Sequence, residues 1–391
     1  VEEPLMCPQL TAVEELDQTG QLELVAPLPP PASQPRRHLP ALTGLRFVLA
    51  IWVVMHHLTG KGMLLEPWAQ SLPPALGSLV RAGYLAVGTF FVLSGFVMAR
   101  SYGGKSWNRG SLMRFGMARI ARIYPGYLLS LLIVSPYIYH YIFEAKADAL
   151  HKAALLADYG CVLQGWTGSL GVGWNTPAWS LSCEFFFYLC FPVLLIWFGK
   201  RTRLRMTLAV SLAILLPVAL AGLHVPSSWK PLHHMADFLV GMVASHSFDM
   251  LSESKWIFKQ AGLWMYSLAA SAGALIVAFP GFLKGVMALN TALLPVNFAL
   301  LVGLAIGGGL PARVLSSRVV KYLGEASYSM YILHVPLLWW YSRYLWQSTS
   351  VAVETATAVL YIAGVIVVSA VAFELVEQPA NRLIRGWAKS W

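Results

Sequence analysis

Ten apolar stretches, each about as long as a helix that crosses a bilayer, dominate this chain and limit what it can fold into. A hydrocarbon core of roughly 30 Å takes roughly 17–25 residues of helix. The stretches 42–59, 80–99, 118–143, 180–198, 206–223, 232–248, 262–279, 286–309, 320–343 and 352–375 meet that requirement. In lipid every backbone N–H and C=O must be satisfied inside the segment, so such stretches fold as helices. The expected fold class is therefore all-α, a polytopic bundle of about ten transmembrane helices with both termini on one side. Composition agrees: 57% of residues are hydrophobic and only 12% charged, which excludes a string of soluble domains.

The formal charge of +10 would suggest nucleic-acid binding in a soluble chain. Here the placement of the charges decides. Twenty of the 28 Lys and Arg residues fall on the side that holds the N-terminus, from Arg36 and Arg37 through Arg100–Arg122 and Lys200–Arg205 to Arg382–Lys389. Seven fall on the other side, and Arg46 lies within the first span. Cytoplasmic loops collect Lys and Arg, so both termini are expected in the cytoplasm and nucleic acid is not an expected partner. Residues 1–39 are acidic and then proline-rich, a composition that buries little apolar surface, and read as a disordered cytoplasmic tail. The acidic start is unlike a secretory leader. The transmembrane domain is expected over 40–385, with a short cytoplasmic tail at 386–391. Cys7, Cys161, Cys183 and Cys190 have no metal-like spacing, and no metal site is expected.

In so apolar a chain the few ionisable residues inside spans carry the functional information. Arg46 and His57 are eleven residues apart in the first span. On a helix that is three turns plus ~20°, so both lie on one face, about 16 Å apart along the axis; His56 points about 100° away. Arg46 could also snorkel to the interface. Arg119 and Arg122 are three apart, hence neighbours on a helix, and with Arg114 form a basic edge. Paired guanidinium forks suit phosphate, and lipid headgroups are the alternative partner. Glu184 enters an aromatic stretch with no basic residue nearby in sequence, so its partner must come from another helix. Topology then predicts two layers: Arg46, Arg119 and Arg122 inside, and His57, Glu184 and His334 outside. His334 reads more readily as a helix-packing hydrogen bonder than as a reacting group. Asp237 is placed to pair with His233 or His234. Ser94 sits beside Gly95 without the Gly-x-Ser-x-Gly elbow and reads as a packing residue.

Six sequence elements in order carry a resemblance. They are Leu42-x-Gly-Leu-Arg46 with His57, Phe90-Phe-Val-Leu-Ser-Gly-Phe96, Arg119-x-x-Arg122 before Ile123-Tyr-Pro125, Trp179-Ser-Leu-Ser-x-Glu184, Gly324 through His334, and Glu377-x-Pro379. From about residue 40 to 385 the chain resembles the membrane-embedded acyltransferase 3 family. The resemblance implies a ten-helix bundle that moves an acyl group from acyl-CoA to an acceptor hydroxyl. Arg46 and His57 match the pair regarded as essential in that family, and Arg119 and Arg122 its Arg-x-x-Arg element. His233 and His234 stand where the family leads one to expect an arginine before the sixth-span acid, which leaves Asp237 without an inherited role. The expected donor is acyl-CoA, acetyl-CoA by resemblance, with no permanently bound cofactor. The acceptor is a sugar, glycolipid or natural-product hydroxyl, and the site is a bacterial inner membrane. In the expected mechanism His57 acts as general base, directly or through an acyl-histidine, Arg46 binds phosphate or polarises the thioester carbonyl, Glu184 orients the imidazole or the acceptor, and Arg119 and Arg122, with Arg114 beside them, hold the phosphates. A transporter or flippase for a lipid-linked substrate is the rival class, and the absence of matched broken spans weighs against it.

Overall fold

A computed structural model describes residues 39–388 apart from 106, 141–147, 172, 199–201, 253–257, 280–285 and 345–349, together with two short strands further upstream. The chain divides into Val1–Leu39 and Pro40–Trp391. In the first unit the strands Val13–Leu16 (β1) and Leu22–Val25 (β2) pair antiparallel, Val13 opposite Val25. The rest of the segment expected to be a disordered tail lies outside the described residues.

All regular elements among the described residues of the second unit are helices. Its long helices are α1 (Pro40–Leu58), α2 (Ala86–Tyr102), α3 (Arg109–Ile133), α4 (Trp179–Phe198), α5 (Arg203–Gly222), α6 (Met235–Ser252), α7 (Phe258–Ala278), α8 (Val286–Ile306), α9 (Ser327–Tyr344) and α10 (Val351–Ala372), followed by the short α11 (Gln378–Trp387). Among the described residues, seven segments are long and apolar enough to cross a membrane. These fall on α1, α2, α4, α5, α7, α8 and α10. The chain is thus a multi-pass membrane protein. Helices α3, α6 and α9 are the exceptions, and each carries polar side chains turned into the bundle: Arg119 and Arg122, Asp237 and His246, Ser329 and His334. Large apolar side chains instead point outward elsewhere, including Leu189 and Ile196 on α4, Leu215 on α5, Leu268 on α7 and Val367 on α10.

Two predicted spans are corrected. The third is displaced, because a capping box starts α3 at Arg109: the Asn108 side chain accepts from the Ser111 amide at 2.7 Å while Ser111 Oγ accepts from the Asn108 amide at 2.8 Å. It ends at Ile133, just before Ser135-Pro136, where a proline lacks the amide to continue the ladder. The ninth is broken at Ala326, separating the short helix Arg318–Glu325 from α9.

Helix association in lipid depends on close packing of small residues. Helix α6 lies almost wholly buried against α2, and their backbones touch where glycines meet. A Cβ at Gly95 would strike the Phe238 carbonyl, and one at Gly241 the Val92 carbonyl. This crossing makes Gly95, not Ser94, the packing residue. Helix α1 packs against α9 and α10 through Ala50, Val54, Leu58, Met330, Leu338 and Tyr361. That contact brings His57 to His334.

Candidate active site

Two adjoining cavities thread the space among α1, α2, α3, α4 and α9. The larger, of about 260 Å³, presents Arg46, Arg119, Arg122, Glu184, Tyr188 and Arg385. A narrower one of about 50 Å³ shares Arg46, Phe90, Glu184 and Tyr328 with it and continues to Ser180 and Tyr331. The Tyr331 ring lies 6.1 Å from that of His334, so the polar line extends from the basic end of α3 to the histidines.

The histidine pair has a definite hydrogen-bond polarity. His334 is fully buried, and its Nδ1 faces the carbonyls of Tyr331 (2.7 Å) and Met330 (3.3 Å). A carbonyl only accepts, so in the neutral ring Nδ1 carries the hydrogen and Nε2 is the acceptor. His57 Nδ1 lies 3.0 Å from the Val53 carbonyl and 3.2 Å from His334 Nε2. Both are acceptors, so His57 Nδ1–H donates to them. The lone pair of His57 is then on Nε2, which has no partner among the described residues. That tautomer is the one a base at Nε2 requires. The rings meet edge to face at 4.9 Å.

The arginines divide into two environments. Arg122 pairs with Glu377, whose other oxygen accepts from Ser329 Oγ at 2.9 Å. Its guanidinium also lies over the Tyr328 ring at 5.4 Å. Glu377 reaches inward from a single turn of π-helix, Phe373–Glu377, between α10 and α11, a wide turn that re-aims side chains. Arg119 has no carboxylate partner among the described residues. Three aromatic rings surround its guanidinium instead, Tyr188 at 5.5 Å, Phe115 at 5.9 Å and Tyr102 at 6.0 Å. Its Nη1 donates to Met98 Sδ at 3.5 Å, and its Nε is buried without a partner. A cation held by ring faces keeps its charge available to an anion.

Glu184 departs from the two-layer expectation. It lies with the arginines rather than with the histidines, accepting from Tyr188 at 2.8 Å and lining both cavities together with Arg46. Opposite charges lining one partly buried cavity lower each other's cost. Glu184 therefore does not orient the His57 imidazole; His334 and Val53 do. Asp237 accepts from His234 Nδ1 at 2.8 Å, both buried, while His233 faces the Pro226 carbonyl at 3.2 Å. The His234 ring is wedged between Phe91 and Trp179, so this pair ties α6 to α2 and α4. Arg114 stands apart from both cavities, on a shoulder beside Tyr102 and Trp107.

The family profile described as an acyltransferase domain (Acyl_transf_3) matches residues 39–374, which include Arg46, His57, Arg119, Arg122, Glu184 and His334. The chain belongs to this acyltransferase family. It is 29% identical over 379 residues to acyltransferase MdmB of Streptomyces mycarofaciens, covering 88% of this chain and 92% of that protein. It is 23% identical over 330 residues to O-acetyltransferase OatA of Staphylococcus aureus, covering 79% of this chain and 52% of OatA. Peptidoglycan O-acetyltransferase OatA of Listeria monocytogenes is 22% identical over 378 residues, with 89% and 56% covered. The chain thus spans about nine tenths of the first relative and about half of each OatA. No solved structure matches it.

The candidate site also contains residues without a signal of their own in the sequence. Tyr188, Tyr328 and Tyr331 line the cavities, and Ser94 joins them. Glu377 served only as part of a closing sequence element, although a carboxylate at the end of an apolar span is itself a signal of a buried partner. Arg385 of α11 had no such signal.

Proposed function

We propose that this acyltransferase takes its acyl group, acetyl in the first instance, from acyl-CoA on the cytoplasmic side and delivers it to a hydroxyl near the opposite face. The acceptor is a sugar, glycolipid or natural product. In this reading α3, α6 and α9 also cross the membrane, for ten crossings with both termini cytoplasmic, as the positive-inside distribution of Lys and Arg requires. The membrane is the bacterial inner membrane.

One observation carries the proposal. Polar residues lead from the uncompensated Arg119, past Arg46 and Glu184, to Tyr331, whose ring adjoins that of His334, the partner of a His57 whose Nε2 is an open acceptor. Arg119 holds a phosphate of the donor. Arg46 lies about 16 Å from His57 along the same helix, too far for one carbonyl group to meet both side chains, so it acts on the donor's arm. His57 Nε2 takes the proton of the acceptor hydroxyl as the oxygen attacks the thioester carbonyl. The C–O bond forms, the C–S bond breaks, and the proton passes to the departing CoA thiolate. His334 acts as a positioning residue that holds the His57 tautomer.

The test is a coupled assay on the purified protein with labelled acetyl-CoA and candidate acceptors. Release of CoA thiol that depends on acceptor supports the transferase. Movement of a labelled acceptor across vesicles without thiol release supports a transporter instead.

A further inference from the structure

We propose that the shoulder formed by Tyr102, Lys105, Trp107, Ser111, Arg114 and Phe115 is a nucleotide subsite for the 3′-phosphorylated adenosine end of the donor. The inference rests on the donor being acyl-CoA, and it assigns a separate set of residues to the part of that molecule farthest from the thioester.

The shoulder encloses about 250 Å³ where α2 ends and α3 begins. Tyr102 and Trp107 are stacked, with ring centroids 5.8 Å apart and planes at 22°. Phe115 meets them edge-on at 5.0 and 5.4 Å and holds the platform in place. Flat aromatic platforms of this kind bind nucleobases through their π-faces. Trp107 Nε1 is buried and has no hydrogen-bond partner. An indole nitrogen only donates, and a buried donor left unpaired is costly, so the position calls for an acceptor from outside the described residues. Two cations complete the site. Lys105 Nζ lies 4.9 Å from the Tyr102 ring centre, and Arg114 lines the cavity. Neither has a carboxylate partner among the described residues, which suits a phosphate monoester.

Continuity with the catalytic path decides which nucleotide fits. Tyr102 and Phe115 are also two of the three rings around Arg119. A ligand with its base on the Tyr102–Trp107 platform therefore has its next groups at Arg119 and anything further along in the cavity of Arg46 and Glu184. Base, phosphates and then a long neutral arm ending in a thioester is the order of groups along acyl-CoA. Free mononucleotides fill only the first part.

The experiment uses the full chain in lipid nanodiscs. Adenosine 3′,5′-bisphosphate, which lacks the pantetheine arm, is expected to compete with labelled acetyl-CoA. Trp107→Leu is expected to raise KM for acetyl-CoA about tenfold while kcat stays within about twofold, and Trp107→Phe to recover most of the loss. Lys105→Gln combined with Arg114→Gln is expected to remove any preference for acetyl-CoA over its analogue without the 3′-phosphate. The proposal is overturned if acetyl-CoA binds and turns over normally, the bisphosphate fails to compete, and the variants keep the wild-type KM. If Trp107→Leu does not fold, the wild-type competition and the Trp107→Phe and double variants decide alone. If wild-type protein turns over another acyl donor but does not bind acetyl-CoA, the donor assignment itself has failed and takes the subsite with it.

Discussion

Replacing Glu377 by Gln removes one charge and almost no volume, and the structure indicates what this does. Arg122 keeps 23% of its side chain exposed while Glu377 keeps 2%, so the carboxylate is the more deeply buried half of the pair. Breaking a buried pair by neutralising one partner costs about 3–5 kcal/mol, because the remaining charge stays desolvated. The opening beside Arg122 admits some solvent, and the glutamine amide oxygen still accepts a hydrogen bond, so the lower end, about 3 kcal/mol, is expected. The Ser329 hydroxyl can keep its own bond to the amide. The double variant Arg122→Met/Glu377→Gln leaves no unpaired charge and should recover most of the loss. Thermal and denaturant stability of the four proteins of the cycle, measured in one detergent, checks this. Equal stability of Glu377→Gln and wild type, or an additive double variant, would refute the view that Arg122 is held chiefly by Glu377. The cycle also bears on function. If Arg122 is committed to Glu377, the double variant keeps its KM for acyl-CoA within about twofold.

Three further outcomes follow from the same geometry. Arg119→Ala, which removes the uncompensated cation, should raise KM for acyl-CoA by about tenfold or more, with Arg119→Lys recovering only part because a point charge replaces a fork; an unchanged KM would place the phosphates elsewhere. His57→Ala should lower kcat about 10²–10⁴-fold, the range for loss of a general base, with acyl-CoA binding retained in a direct binding measurement. His334→Leu should lower kcat with KM for acyl-CoA unchanged, and His334→Gln, whose amide oxygen accepts a hydrogen bond, should restore part of it; equal losses in both variants would mean a packing role only.

Span lengths and hydropathy placed most long helices to within a few residues, since lipid leaves few alternatives for a long apolar segment. The third span lies elsewhere than hydropathy places it because apolar averaging does not see a cap: Asn108 and Ser111 start α3 nine residues before the hydrophobic run at 118. Helical periodicity put Arg46 and His57 on one face, and the structure has Arg46 in the cavities and His57 against His334. Periodicity within one helix says nothing about which helix lies opposite. For that reason the pairing of His334 with His57, the meeting of Glu184 with Arg46, and the capture of Arg122 by Glu377 could not be read from spacing. The first needs the α1–α9 contact, the second the cavities that α1 and α4 both line, and the third a π-turn.

In the proposed function the two ends of the polar line have different tasks and lie toward opposite faces of the membrane. Vesicles of the purified protein in a single orientation, given acyl-CoA on one side only and acceptor on the other, test it most directly. Product should form when acyl-CoA is on the side of Arg119 and acceptor on the side of His57, and fall to background when the two are exchanged. Equal product in both arrangements would contradict the account.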